Sequence, residues 1–151
     1  MCSIVGLQGN FKADDLIVML KTSKNRGKDA SGIFLDGKIQ KGIDLNDFND
    51  ENTYSLGLGH NLLAVHNLEN RTSHTQPIAK NTLTLVFNGE IYNLPDLKQQ
   101  LASLGYTFRT TSDTEVLLLS FLEYGPDFVK QVDGIFSFAV YDERHETIYL
   151  F

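Results

Sequence analysis

The hydrophobic and polar positions of this chain change their spacing several times, and each change predicts a new element. Leu16, Ile17 and Leu20 recur at helical spacing, which predicts a helix over 13–24. Other stretches are short and apolar, or alternate between apolar and polar, as strands do. We predict strands at residues 2–7, 31–36, 38–43, 56–65, 82–87, 135–141 and 147–151.

Turn and cap residues indicate where several of these elements end. Asp36-Gly37 is typical of a two-residue hairpin turn and joins two of the predicted strands. Pro95 suits the first turn of a helix, and Gly105 suits the position just past its end, so a helix is predicted over 95–104.

A further helix is predicted to begin at Ser112, because Ser112 and Glu115 have the spacing of a capping box. Gly125-Pro126 would end it. Strands and helices thus come in blocks rather than in strict alternation, which favours the α+β class with helices packed on sheet faces. The length of 151 residues fits one domain over 1–151.

Composition and charge exclude several classes of protein. Apolar residues make up 42% and charged residues 21%, as in ordinary globular proteins. The net charge of −6 and the lack of a Lys/Arg cluster argue against nucleic-acid binding. There is no apolar run long enough for a membrane span. One cysteine fits a reducing compartment, so we expect a cytoplasmic protein. Because the chain stops inside a predicted strand, we also expect it to be a truncated part of a longer protein.

Cys2 is the first candidate for chemistry, because it directly follows the initiator Met1. Removal of Met1 would leave a thiol and a free α-amine on one residue, and such an amine can act as the base for the nucleophile beside it. The alternative is a small apolar side chain packed near the start of the chain. Taken by itself, Cys2 favours this alternative.

Five local sequences accompany this cysteine in a fixed order. They are Met1-Cys2-Ser3-Ile4-Val5-Gly6, Arg26-Gly27-Lys28-Asp29-Ala30-Ser31-Gly32, Gln76-Pro77-Ile78, Asn88-Gly89-Glu90-Ile91-Tyr92-Asn93 and Thr111-Ser112-Asp113-Thr114-Glu115. Their order and spacing resemble the class II glutamine amidotransferase domain, an N-terminal-nucleophile hydrolase module. The 88–93 and 132–142 segments look closest to the asparagine-synthetase branch of that family.

The resemblance implies a four-layer αββα sandwich and a mechanism. Cys2 would attack the side-chain amide of glutamine, with its own α-amine moving the proton, once Met1 has been removed. The Asn88 side-chain NH₂ and the Gly89 backbone N–H would form the oxyanion hole. The alternative for Asn88-Gly89 is a simple turn after the preceding strand.

The resemblance also assigns the substrate-binding groups. Glu90 and Asp113 would bind the α-ammonium of glutamine by charge-assisted hydrogen bonds. The alternatives are a favourable first-turn position for Asp113 and a solvated surface carboxylate for Glu90. The segment Leu63-Ala64-Val65 would line the pocket with its backbone.

One position departs from the family. Where the family has an arginine that binds the α-carboxylate of glutamine, this chain has Leu62. Leucine cannot neutralise a carboxylate, and an unpaired buried charge is costly. Arg71 in the following loop is a candidate substitute, or the amide donor is not free glutamine.

Three other features are expected to be structural. The 26–32 segment would form a turn beside the nucleophile, with Arg26 orienting Cys2. Gln76-Pro77 would shape the pocket wall. His60 has no third ligand at metal-binding spacing and is expected to be a core or surface histidine, so no metal site is predicted.

The resemblance implies no cofactor in this domain. ATP and Mg²⁺ would serve a synthetase domain, in cis or in trans, that accepts the ammonia and is absent from this chain. A homodimer is compatible with the sequence. Two alternative functions stay open: a catalytically silent regulatory or binding domain of the same fold, and an amidase for another γ-glutamyl compound.

Overall fold

The computed structural model describes residues 2–48, 50–64 and 75–151. The chain forms two compact units, Met1–Pro77 and Ile78–Phe151. In the described residues each unit contains one four-stranded antiparallel sheet together with its helices. None of the helices in this described part is long and apolar enough to span a bilayer.

The sheet of the first unit has the strand order β1-β4-β2-β3. Its strands are β1 Ser3–Lys12, β2 Ala30–Leu35, β3 Lys38–Gly42 and β4 Thr53–Leu62. Helix α1 covers Ala13–Thr22, and short 3₁₀ helices cover Lys24–Arg26 and Leu45–Asp47. The predicted hairpin is confirmed, since Asp36 and Gly37 both have positive φ angles (40° and 93°) between β2 and β3.

Two glycines bring helix α1 close to this sheet. A side-chain carbon at Gly57 would lie 3.1 Å from a methyl group of Leu16, and one at Gly59 would lie 3.0 Å from Leu20. Leu16 and Leu20 are both fully buried, so the helix presents its apolar face to the glycines of β4. This packing places the end of α1 next to the end of β4.

The sheet of the second unit has the strand order β5-β6-β7-β8. Its strands are β5 Ile78–Lys80, β6 Leu83–Ile91, β7 Gly134–Asp142 and β8 Thr147–Leu150. Helices α2 Leu94–Ser103 and α3 Asp113–Tyr124 precede a 3₁₀ helix at Pro126–Gln131. The core of this unit combines leucines of β6, α2 and α3 with aromatic rings that include Phe128 and Phe138.

The structure excludes one alternative interpretation of the local sequence and corrects one prediction. Asn88-Gly89 is not a turn, because β6 continues through it and pairs Asn88 with Ser137 of β7. Ser112 does begin helix α3 by accepting from the Thr114 N–H. Glu115, however, accepts from the backbone of residues 109 and 110, so the reciprocal half of a capping box does not form.

Candidate functional site

Cys2 lies immediately before β1, and its side chain is partly exposed. The Leu63 N–H donates a hydrogen bond to its Sγ at 3.4 Å. Arg26 donates from Nε to the Cys2 carbonyl oxygen at 3.1 Å, so the predicted contact between these two residues forms. The thiol is therefore held at the end of β4, with a backbone donor directed at the sulfur.

The turn after the first 3₁₀ helix fixes the backbone that follows β4. A side-chain carbon at Gly27 would lie 2.5 Å from the Asn61 carbonyl oxygen, so only glycine fits there. The Asp29 N–H donates to the Leu62 carbonyl oxygen at 3.0 Å, and the Asp29 carboxylate accepts from the Ala64 N–H at 2.7 Å. These contacts hold the stretch that carries the Leu63 donor.

Leu62 and Ala64, both predicted to bind substrate, lie in this stretch. The Leu62 side chain is only 8% exposed and has no charge to offer a carboxylate. Val65 and Arg71, the other candidates from this part of the chain, lie outside the described residues, as does Met1.

The Gln76-Pro77 segment passes over β2. The backbone of Gln76 lies so close to Gly32 that a side chain at position 32 would collide with the Gln76 carbonyl oxygen. Gln76 is buried. The predicted role of this segment as a pocket wall stays a prediction.

Asn88, Gly89 and Glu90 are consecutive residues of β6, near its end. Asn88 and Gly89 are half-buried and Glu90 is exposed. A side-chain carbon at Gly89 would lie 2.6 Å from the Phe136 Cα, so glycine is needed for the approach of β6 to β7. Within the described residues the Asn88 side chain forms no hydrogen bond, which leaves its amide available.

Asp113 is the first residue of helix α3 and is half-buried. Burial raises the pKa of its carboxyl, and the negative charge of Glu90 raises it further. The Thr114 N–H, which donates to Asp113 Oδ1 at 3.0 Å, acts in the opposite direction. In the described part of the chain neither carboxylate forms an ion pair, so this pair can receive a cation.

His60 is fully buried in β4, as expected for a core histidine. Burial lowers its pKa to about 3, and the nearby Lys41 ammonium contributes to the lowering. Both ring nitrogens lack a hydrogen-bond partner among the described residues. The imidazole is therefore neutral at physiological pH. Across the same residues, no three histidine, cysteine, aspartate or glutamate side chains cluster as metal ligands would.

The structure thus places the predicted site residues in two groups. The first unit contains Cys2, Leu62 and Ala64, and the second contains Asn88, Gly89, Glu90 and Asp113. Sequence reasoning missed Asp29 as a residue of the first group, and it missed the contact that Leu63 makes with the sulfur. Leu63 was expected only to line the pocket with its backbone, and Asp29 lies in the 26–32 segment, which was expected only to form a turn.

Comparison with known proteins shows the family to which the chain belongs. A family model described as a glutamine amidotransferase domain matches residues 1–151. Asparagine synthetase 1 (glutamine-hydrolysing) of Bacillus subtilis is 36% identical over 158 residues, covering 99% of this chain. Asparagine synthetase 3 of the same organism is 43% identical over 95 residues, covering 60% of the chain. The chain spans only 22% and 15% of the length of these two relatives.

A solved structure shows the fold. The glutamine phosphoribosylpyrophosphate amidotransferase from B. subtilis superposes with a TM-score of 0.78 at 24% identity, covering 95% of this chain and 35% of that one. The predicted α+β fold of the N-terminal-nucleophile hydrolase type is confirmed. The match of the family model over the full length of the sequence shows that this chain belongs to the glutamine amidotransferase domain family.

Proposed function

We propose that this chain hydrolyses glutamine to glutamate and ammonia through a γ-glutamyl thioester on Cys2. The observation that carries the proposal is the position of the Cys2 sulfur, which is partly exposed and accepts a hydrogen bond from the Leu63 N–H. This N–H holds the sulfur in place at the end of β4, and the partial exposure of Cys2 leaves the sulfur open to a substrate. Membership of the amidotransferase family supplies the substrate class.

The reaction begins once Met1 has been removed and the α-amine of Cys2 is free. Sγ forms a bond to the side-chain carbonyl carbon of glutamine, and the thiol proton passes to the α-amine. The same proton then moves to the amide nitrogen, the carbon–nitrogen bond breaks, and ammonia leaves. Water adds to the thioester, the carbon–sulfur bond breaks, and glutamate and the free thiol are released.

Asn88 and Gly89 would stabilise the negative charge that develops on the amide oxygen. The Asn88 amide, which has no partner among the described residues, and the Gly89 N–H would serve as donors to that oxygen. Removal of one donor of this kind raises the barrier by about 2.7–4 kcal/mol in other enzymes.

Glu90 and Asp113 would bind the α-ammonium of the substrate. The desolvated carboxylate of Asp113, which has no ion-pair partner among the described residues, supports this role, because an arriving cation would relieve the cost of its burial. The exposed Glu90 carboxylate would complete the binding of the ammonium from β6.

The ammonia would pass to an ATP-dependent synthetase domain, in cis or in trans. Two relatives are named as asparagine synthetases, and this chain spans less than a quarter of either. ATP and Mg²⁺ would act in that partner domain, and the pair would work in the cytoplasm. A homodimer is one oligomeric state compatible with this function.

A second candidate function is favoured by Leu62. This side chain is apolar and buried where an arginine would bind the substrate α-carboxylate. A γ-glutamyl compound without a free α-carboxylate would not need that arginine, so an amidase for such compounds is the alternative.

The experiment compares glutamine with γ-glutamyl compounds whose α-carboxylate is blocked. Mass spectrometry first establishes that Met1 has been removed, and then the release of glutamate and ammonia is measured. We expect turnover that is lost in Cys2→Ala. Preference for free glutamine supports the first proposal, and preference for the blocked compounds supports the second. Absence of turnover for every substrate, in a folded and trimmed sample, would contradict both and would leave a silent domain.

A further inference from the structure

A row of polar side chains crosses three strands of the first sheet beside the nucleophile. Asn61 of β4 pairs directly with Ser3 of β1 on one side and with Ser31 of β2 on the other. All three side chains lie on one face of the sheet and are buried. We call Ser3, Asn61 and Ser31 the polar row.

The next row on this face is apolar. It consists of Val5, Gly59 and Ile33, with Leu20 of helix α1 packed against the glycine. The polar row therefore does not reflect a polar face of the sheet. Polar side chains occupy this buried surface at the row that directly follows Cys2.

The hydrogen bonds of the polar row have one direction. The Lys24 ammonium, which can only donate, bonds to Ser31 Oγ at 2.9 Å. Ser31 must therefore donate its single hydroxyl hydrogen, and it does so to Asn61 Oδ1 at 2.7 Å. This fixes the orientation of the Asn61 amide, because its oxygen is occupied by the serine.

The Asn61 NH₂ group continues the chain of donors. It bonds to Ser3 Oγ at 3.0 Å and to the Leu20 carbonyl oxygen at 2.9 Å. The Ser3 hydroxyl donates to Ser23 Oγ at 3.1 Å, and Ser23 donates to a carbonyl oxygen of the last turn of α1. The chain thus runs from a cation to the negative end of a helix, and bonds aligned in this way strengthen one another.

The two residues that form the contact at the sulfur, Cys2 and Leu63, lie close in sequence to members of this series of hydrogen bonds. Ser3 directly follows Cys2, and Asn61 comes two residues before Leu63, whose N–H donates to Sγ. Buried hydrogen-bonded pairs add little net stability compared with apolar pairs of the same shape. Their value here lies in fixing the distance between the ends of β1 and β4.

We propose that Asn61 is a positioning residue for Cys2, held in its orientation by Lys24 through Ser31. The inference rests on the proposed function, because it assigns a purpose to the precise placement of the thiol. It requires that loss of any hydrogen bond in the series from Lys24 through Ser31 to Asn61 loosens the contact between the Cys2 sulfur and the Leu63 N–H. The thiol would then react more slowly.

The test measures the rate at which iodoacetamide alkylates the protein, with the adduct detected by intact-mass spectrometry. Cys2 is the only cysteine, so each adduct reports this thiol alone. We expect Ser31→Ala and Lys24→Met each to slow alkylation at neutral pH by about three- to tenfold, the range expected for loss of one hydrogen bond. Both variants interrupt the same series of hydrogen bonds. The double variant should therefore be alkylated no more slowly than the slower single variant.

Ile33→Val is the matched control, since Ile33 lies on the same strand and face, one row away. It should lower the melting temperature slightly and leave the alkylation rate unchanged. The proposal would be overturned by unchanged alkylation in Ser31→Ala and Lys24→Met, by multiplying effects in the double variant, or by equal slowing in Ile33→Val. If Ser31→Ala does not fold, Lys24→Met decides alone, because Lys24 lies outside the sheet. The readout needs no glutamine turnover, so failure of the proposed function would not affect it.

Discussion

The two units bury different side chains next to their candidate site residues. In the first unit, the strand that ends beside Cys2 buries an asparagine and a histidine, and both are completely inaccessible. In the second unit, the strand that carries Asn88 and Gly89 lies on a core of leucines and stacked aromatic rings. The first unit thus places buried polar groups beside Cys2, whereas the second places its candidate site residues on an apolar core.

The largest effect is expected from the aromatic core of the second unit. Phe138 is 1% exposed, and its ring packs against those of Phe128, Phe136 and Phe151. Phe138→Ala should lower the free energy of unfolding by about 3–5 kcal/mol, measured by urea denaturation. Ile135→Ala, on the same strand but 72% exposed, is the control and should lose little. Equal losses in both variants would show that this core does not carry the stability.

The next effect concerns Glu90 and Asp113 of the second unit, the pair that we propose binds the α-ammonium. Asp113→Asn should raise the KM for glutamine by about 10- to 100-fold, because a charge-assisted hydrogen bond is lost. Asp96→Asn is the control, since Asp96 is an exposed aspartate in the first turn of α2. An unchanged KM in Asp113→Asn would remove Asp113 from the site.

We also predict how Asp113→Asn changes stability. Because burial raises the pKa of Asp113 in the folded state, the folded protein binds this proton more tightly than the unfolded chain does. The contribution of Asp113 to stability therefore falls as the pH rises from the pKa of the unfolded chain through the raised pKa of the folded state. Asp113→Asn should melt no lower than the unmodified protein at pH 7. A clear decrease in melting temperature would mean that the ionised carboxylate stabilises the helix instead.

A further pH effect is expected for His60 in the first unit. Its pKa is about 3 in the folded state and near 6.5 in the unfolded chain, so the unfolded chain binds the proton more readily. Stability should therefore fall as the pH decreases from 6.5 towards 3, by up to about 1.4 kcal/mol per pH unit. His60→Leu should flatten this dependence in urea denaturation measured across that range. An unchanged slope would show that other groups cause the acid sensitivity.

The elements set by local chemistry could be predicted from the sequence. The hairpin at Asp36-Gly37 needs two positive φ angles, and the residues that tolerate them stand in the right place. Pro95 and Gly105 correctly bracket helix α2. Ser112 correctly indicated the start of α3, because its own hydroxyl caps the helix.

Other features depend on partners that are distant in sequence. Asn88-Gly89 has the composition of a turn, but pairing with β7 keeps it extended within β6. The polar row joins Ser3 to Asn61 across 58 positions, which only the strand order of the sheet reveals. The site residues themselves were inferred from resemblance to a family, and the way in which each unit holds them required the structure.

The most direct test of the account is covalent labelling with a glutamine-analogue electrophile, read by intact mass. We predict a single adduct on Cys2 in the chain that has lost Met1, slower labelling when glutamine is present, and no adduct in Cys2→Ala. A folded, Met1-free protein that forms no adduct, or one whose labelling glutamine does not slow, would contradict the claim that Cys2 is a glutamine-directed nucleophile.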